Sequence, residues 1–313
     1  MPYNNMISRT EAQALMPEEV STQLLDKATD QSAALSLFRS VPMSRGQQRL
    51  PVVTSLPIAY FVNGDNGLKQ TSEVNWDNKF LNAEEVAVIL PVPDAVLDDA
   101  EFDIWALSEP LVAEAIGRTI DAAIFFGTNT PASWAITGGI VAKAAAAGNS
   151  QARGVTTAAN GGLAGDISLA FGKVEADGFD VSGAVLSRAY KGLLRNARAT
   201  DGKKHAEVTP ENIYGVAPQY LMRGMWPSGV GAVEGFVGDF SQGLIGRRTD
   251  ITMKVLTEAV IQDNTGAIIY NLAQQDMTAV RLTIRLAFVV ANLINYDQPT
   301  EANRYPWCTL LAP

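Results

Sequence analysis

The chain has one cysteine and one histidine in 313 residues. A lone Cys308 rules out an intrachain disulfide and is compatible with a reducing compartment. With one thiol and one imidazole, no pair of these ligands stands at metal-binding spacing. His205 lies in the basic turn Lys203-Lys204-His205 and reads as a surface residue. A Ser-His-Asp triad would have only His205 to use, and no Gly-x-Ser-x-Gly elbow is present. Long apolar runs are missing too. Leu286 to Ile294 is the most apolar stretch, far short of the ~20 residues a membrane helix needs. No segment pairs a basic start with an apolar core, so neither a signal peptide nor a membrane partner is expected.

Charge is sparse and unevenly placed. Charged residues make up 18% of the chain and apolar ones 47%, which describes a folded protein with a substantial core in one large or two modest domains. The net charge is −9. Residues 1–103 hold 7 Lys+Arg against 15 Asp+Glu, whereas residues 104–313 hold 17 against 18. A free nucleic-acid binder is normally basic, so this balance argues against tight DNA binding. The acidic front suits repulsion of DNA or pairing with a basic partner surface.

What is present is organised around Pro93 to Gly127. Val112, Ile116, Ile120 and Ala123 recur at helical spacing, with Leu111, Ala115 and Ala122 widening the stripe. Ser108 is the expected N-cap, Pro110 falls in the first turn and Gly127 is the stop. Glu109 to Phe126 predicts a rod of roughly 27 Å that needs cover on most sides.

Residues 1–43 read as an arm, with a short helix from Pro17 to Lys27 and an apolar set, Leu35, Leu37 and Phe38, that needs a surface. Residues 44–92 read as a long β-hairpin. An edge strand runs from Leu50 to Val62, the turn is Asn63 to Gly67, a polar limb spans Ser72 to Asn82, and Glu85 to Val92 alternates as a half-buried strand. A two-stranded ribbon is marginal alone, so it needs a neighbour. Thr128 to Gly165 reads as loop with short elements, and Lys143 to Gly148 within it is low-complexity. A helix capped by Asp166 follows to Ala176, then a strand at Gly183–Leu186, a helix at Ser187–Ala197 and a strand at Ile213–Val216, the order of an α/β layer. A strand alternating through Ile251, Met253 and Val255 precedes a turn at Asp263 to Gly266. On the last long strand Val280, Leu282, Ile284, Leu286, Phe288 and Val290 line one face, and Arg281, Thr283 and Arg285 the other.

Several clusters invite sharper readings. Five carboxylates crowd Asp94 to Asp103, but the spacing matches no EF-hand, and helix N-terminal acids account for them. Arg188, Lys191, Arg195 and Arg198 share a helix face, which fits a solvated surface better than a phosphate grip. Gly229, Gly231 and Gly235 are one residue too widely spaced for a dinucleotide fingerprint. Arg281 and Arg285, with Arg247 and Arg248 nearby, suit pairing with acids on a neighbour or within the subunit. Cys308, in an apolar tail, reads as a buried inert thiol.

The order of these motifs resembles the major capsid proteins of tailed bacteriophages, the fold known from phage Hong Kong 97. Met16 to Val20 followed by Phe38 to Met43 looks like that family's N-terminal arm. The ribbon looks like its extended E-loop. Leu97 to Ala100 with Ile120 to Gly127 looks like its spine helix, and Ala184 to Ser187, Ile213 to Gly215 and Val237 to Ser241 look like its A-domain. The resemblance implies an α+β fold with an arm at 1–43, an E-loop at 44–92, a P-domain at 93–128 and 247–292, and an A-domain at 129–246 and 293–313. It implies a shell protein, not an enzyme, without cofactor, that forms hexamers and pentamers around DNA it does not bind specifically. Scaffold, portal and decoration proteins are its implied partners, the virion its implied place, and the host bacterial cytoplasm its place of assembly. Lys69, Glu73, Trp76, Arg247, Arg281 and Arg285 are the expected inter-subunit contacts. Some members join an E-loop Lys to a neighbour's Asn with help from a Glu on the last long strand. Lys69 and Lys79 are the lysines available, but Thr283 and Ile284 stand about where the Glu belongs. The alternatives are an encapsulin-like nanocompartment of the same fold and, less in keeping with the motifs, a monomeric α/β enzyme.

Overall fold

The computed structural model describes residues 32–62, 67–95, 104–198, 202–205, 207–221, 226–227, 229, 231–263 and 265–313. Ser32 caps a five-residue helix, α1 (Ala33–Leu37), by accepting the Leu35 N–H. The chain straightens into β1 (Arg39–Pro42), then β2 (Gln47–Val53) and β3 (Trp76–Asn82) pair antiparallel as a hairpin. β4 (Glu84–Pro93) follows at once. The long helix α2 (Ile104–Asp121) widens into a π-helical turn at Ala122–Phe126 and stops at Gly127, φ 72°. Next come α3 (Gly139–Ala146), β5 (Ser150–Ala152), α4 (Leu163–Ala176), β6 (Gly183–Ser187), α5 (Tyr190–Asn196), β7 (Pro218–Leu221) and β8 (Val233–Gly238). The last part holds β9 (Gly243–Leu256), a small hairpin of β10 (Val260–Gln262) and β11 (Ile268–Asn271), β12 (Met277–Val290) and β13 (Trp307–Leu311).

Two sheets carry the fold. The first has the order β1-β9-β12-β4, with β1 parallel to β9 and the other pairs antiparallel. The period-two pattern of β12 does its expected work: Leu282, Ile284, Leu286 and Phe288 are buried, and Arg281 and Arg285 are exposed. That buried face shares one core with Val112, Ile116 and Ile120 of α2. The second sheet has the order β5-β13-β8-β6-β7. All of β6 is buried, and Ile167, Ala170 and Val174 of α4 join Cys308 and Leu310 of β13 in its core. Phe38 links the halves, its ring centroid 5.3–5.9 Å from those of Phe125, Phe240, Phe288 and Trp307. The end of α2 meets α3 backbone to backbone: a Cβ on Gly139 would lie 2.4 Å from the Gly127 nitrogen.

Several local expectations change. α2 starts at or before Ile104, so Ser108 is no cap and Pro110 is its seventh described residue. Leu111 and Ala115 face outward, which leaves the buried stripe narrower than expected. The strand expected over Leu50–Val62 ends at Val53, because beyond it the backbone finds few partners to pair with. β4 does not return along the ribbon; it pairs with β12 over Met277–Leu286. Of the short elements expected over residues 128–165, α3 is a helix that runs through part of the low-complexity stretch. Asp166 lies inside α4, buried, and accepts the Gly154 and Thr156 N–H groups instead of capping the helix. Ile213–Val216 is a tight turn with Tyr214 and Gly215 at positive φ, and the strand is displaced to β7. The expected helix at 17–27, most of the turn at 63–67, and four of the five acids at 94–103 lie outside the described residues.

Candidate assembly surface

The hairpin β2–β3 is held at its base and bare beyond it. Leu81 is buried with Met43, Leu244, Ala287 and Val289. Asn82 Nδ2 donates to the Ser133 carbonyl at 2.9 Å, and Trp134 Nε1 donates to the Asn82 carbonyl at 3.0 Å. Outward from there, no described residue between 54 and 75 is buried. Phe61 is fully exposed, Leu68 89% and Ile58 73%. Among the described residues only sparse polar bonds join the limbs, such as Tyr60 Oη to the Gln70 carbonyl and the Ile58 N–H to Ser72 Oγ. Large apolar side chains in water along a bare ribbon mark an interaction surface.

The expected contact residues fall into three places. Lys69, Glu73 and Trp76 lie exposed on the return limb, Trp76 opposite Val53. Arg281 and Arg285 share the outer face of the first sheet. Arg281 lies between Ile89 and Lys254, and Arg285 between Glu85 and Thr249. With Lys254 also exposed, this face is basic, and among the described residues neither arginine makes an ion pair. Arg247 is separated from them. A register shift in the β9–β12 ladder sets it opposite Leu286, whose side belongs to the core face, and leaves Arg247 half-buried with Nε unpartnered. Sequence parity alone gave no sign of that irregularity.

Sequence reasoning also missed how α1 is attached. Asp121, at the end of α2, accepts from Ser32 Oγ at 2.6 Å and from the Ala33 and Ala34 N–H groups at 3.1 and 3.0 Å. Burial pushes its carboxyl up to about 6 against the pull of those three hydrogen bonds. An acid inside an apolar helical stripe was the available signal. Lys79, one of the two lysines available to a cross-link, has its ammonium 2.9 Å from Glu301 Oε1 and 3.3 Å from the Val290 carbonyl.

The other clusters have ordinary settings. Lys191 rests 4.2 Å above the Tyr220 ring, Arg195 donates back to the Lys191 carbonyl, and Arg198 donates to the Arg195 and Ala197 carbonyls at the end of α5. The glycines around 229–235 lead into strand β8 where a dinucleotide site needs a helix. Cys308 is buried in β13, and burial pushes its thiol up to about 12. Among the described residues no three His, Cys, Asp or Glu side chains gather as metal ligands, and no helix is long and apolar enough to cross a membrane.

A sequence model of the phage capsid family matches residues 12–293. No curated protein matches. A solved chain from Microbacterium phage Oxtober96 is 36% identical, with TM-score 0.79, over 98% of this chain and 99% of that one. One from Mycobacterium phage Cain is 34% identical, with TM-score 0.78, over 98% of each chain. The capsid of an empty GTA particle shares the fold at 17% identity and TM-score 0.61, over 100% of this chain and 94% of that one. A bare ribbon requires a neighbour, and this kinship supplies one: the chain belongs to the phage capsid family and is a major capsid shell protein.

Proposed function

We propose that copies of this chain assemble as hexamers and pentamers into a closed icosahedral shell around phage double-stranded DNA. The observation that carries the proposal is the bare hairpin, whose Ile58, Phe61 and Leu68 are left exposed by the described residues of their own subunit. In this reading residues 44–92 are the E-loop, 1–43 the arm, 93–128 with 247–292 the P-domain, and 129–246 with 293–313 the A-domain. The hairpin limb lies across the next subunit. Glu73 meets the basic sheet face at Arg281 and Arg285, Trp76 covers apolar surface, and Lys69 and Arg247 take acids of the neighbour. Each contact is small, and closed symmetry multiplies it. The net charge of −9 suits a wall that encloses DNA without gripping it. Scaffold, portal and decoration proteins are separate partners, and assembly takes place in the host bacterial cytoplasm.

Light scattering of the purified protein, with negative-stain microscopy alongside, tests the reading. Closed particles, or rings of five and six, are expected. A monomer at all concentrations and salts overturns it. The nucleic-acid content of particles made in infected cells separates a genome container from a cargo compartment.

A further inference from the structure

Lys79 is tied to two separate parts of the body. Its ammonium bonds Glu301, in the 3₁₀ turn Glu301–Asn303, and the backbone carbonyl of Val290 at the end of β12. An ammonium held this way has no free lone pair with which to attack a neighbour's side chain. On the other limb the Tyr296 hydroxyl donates to the Pro57 carbonyl at 2.9 Å. Leu81, on the base side of both ties, is the buried pivot. A groove of about 750 Å³ runs alongside β3, lined by Asn78, Phe80, Trp134, Lys143, Val290 and Arg304. The hairpin is therefore a lever with a buried pivot, two polar stays, and space beside it.

We propose that Lys79, held by Glu301 and Val290, is the positioning residue that sets the hairpin's angle before assembly, and so decides where its apolar tip meets the next subunit. The proposal rests on the shell reading above. An exposed ion pair shifts a population by a factor of only about two to five. A lever whose outer limb buries nothing needs no larger bias to change its spread of angles.

The test uses the full chain, dissociated in dilute solution, with spin labels on Gln70→Cys at the lever and Glu175→Cys on α4. Both positions are exposed, and the buried Cys308 stays unlabelled. The parent and Lys79→Arg should give one narrow distance distribution, and Lys79→Met a broad one. The charge swap, Lys79→Glu with Glu301→Lys, should narrow it again. A Lys79→Met distribution as narrow as the parent's, or a swap as broad as Lys79→Met, overturns the proposal. In assembly, Lys79→Met particles should spread more widely in diameter than parent particles, and equal spreads beside a broadened lever also overturn it. If the parent makes no particles while the distances respond as expected, the shell reading fails and the stay stands.

Discussion

Asp121 occupies a position in α2 where the helical stripe calls for an apolar side chain, and it is buried without a cation among the causes that shift it. Burial raises its folded pKa from 3.8 to about 6. The folded chain therefore binds the proton more tightly than the unfolded one. Asp121's contribution to stability should be greatest below pH 4 and fall as pH rises through 6, by on the order of 3 kcal/mol at about 1.4 kcal/mol per unit. Denaturant titrations of dissociated subunits from pH 3.5 to 7.5 should show that fall in the parent, after allowance for other carboxylates, and a flatter profile in Asp121→Asn. A parent whose Asp121-dependent stability rises over the window would mean that the hydrogen bonds outweigh burial. Phe38 acts by volume. It touches four aromatic rings from both halves, so Phe38→Ala should cost about 3–5 kcal/mol in the same titration.

At the scale of the element, the hairpin separates folding from assembly. Thr54 and Asn75 face each other across it, with the Thr54 N–H bonded to the Asn75 carbonyl at 2.9 Å. Replacing residues 55–74 by Asn-Gly should therefore close a two-residue turn. The shortened chain should keep the parent's thermal midpoint within a few degrees and form no closed particles by light scattering. A strongly lowered midpoint would mean that the limb supports its own subunit. The same contrast explains what the sequence made legible. β12 was plain because one core fixes every second residue, and α2 because Val112, Ile116 and Ile120 pack on that core. The outer limb of the hairpin was not, because Val and Ile there suggest a strand whether or not a ladder exists. Leu111 looked like core and is 66% exposed, since a surface awaiting a neighbour carries the same side chains as an interior. Tyr214 and Gly215 make a turn through positive φ that apolar neighbours concealed. At the site, the exposure of Arg281 and Arg285 was readable from parity, but the stay at Lys79 and the cap at Asp121 join residues 222 and 89 positions apart, and no local pattern encodes them.

For the whole molecule, charge is the variable that assembly should feel. The basic outer face at Arg281, Arg285 and Lys254 belongs to a chain whose first 103 residues carry the acidic excess. Arg281→Glu with Arg285→Glu should leave the subunit folded and cut particle yield at least severalfold at low salt. Parent assembly should weaken as ionic strength shortens the Debye length below ~8 Å. Yields indifferent to both changes would remove this face from the contacts. The order of strands also sets a schedule. β1 lies beside β9, some two hundred residues later, and β13 sits inside the second sheet between β5 and β8. Trp307 of β13 also packs on Phe38. On the ribosome, then, the second sheet cannot close until residues 307–311 have been made. Until then a nascent copy lacks one of its two finished sheets, so the fold itself delays shell building until that strand has been translated.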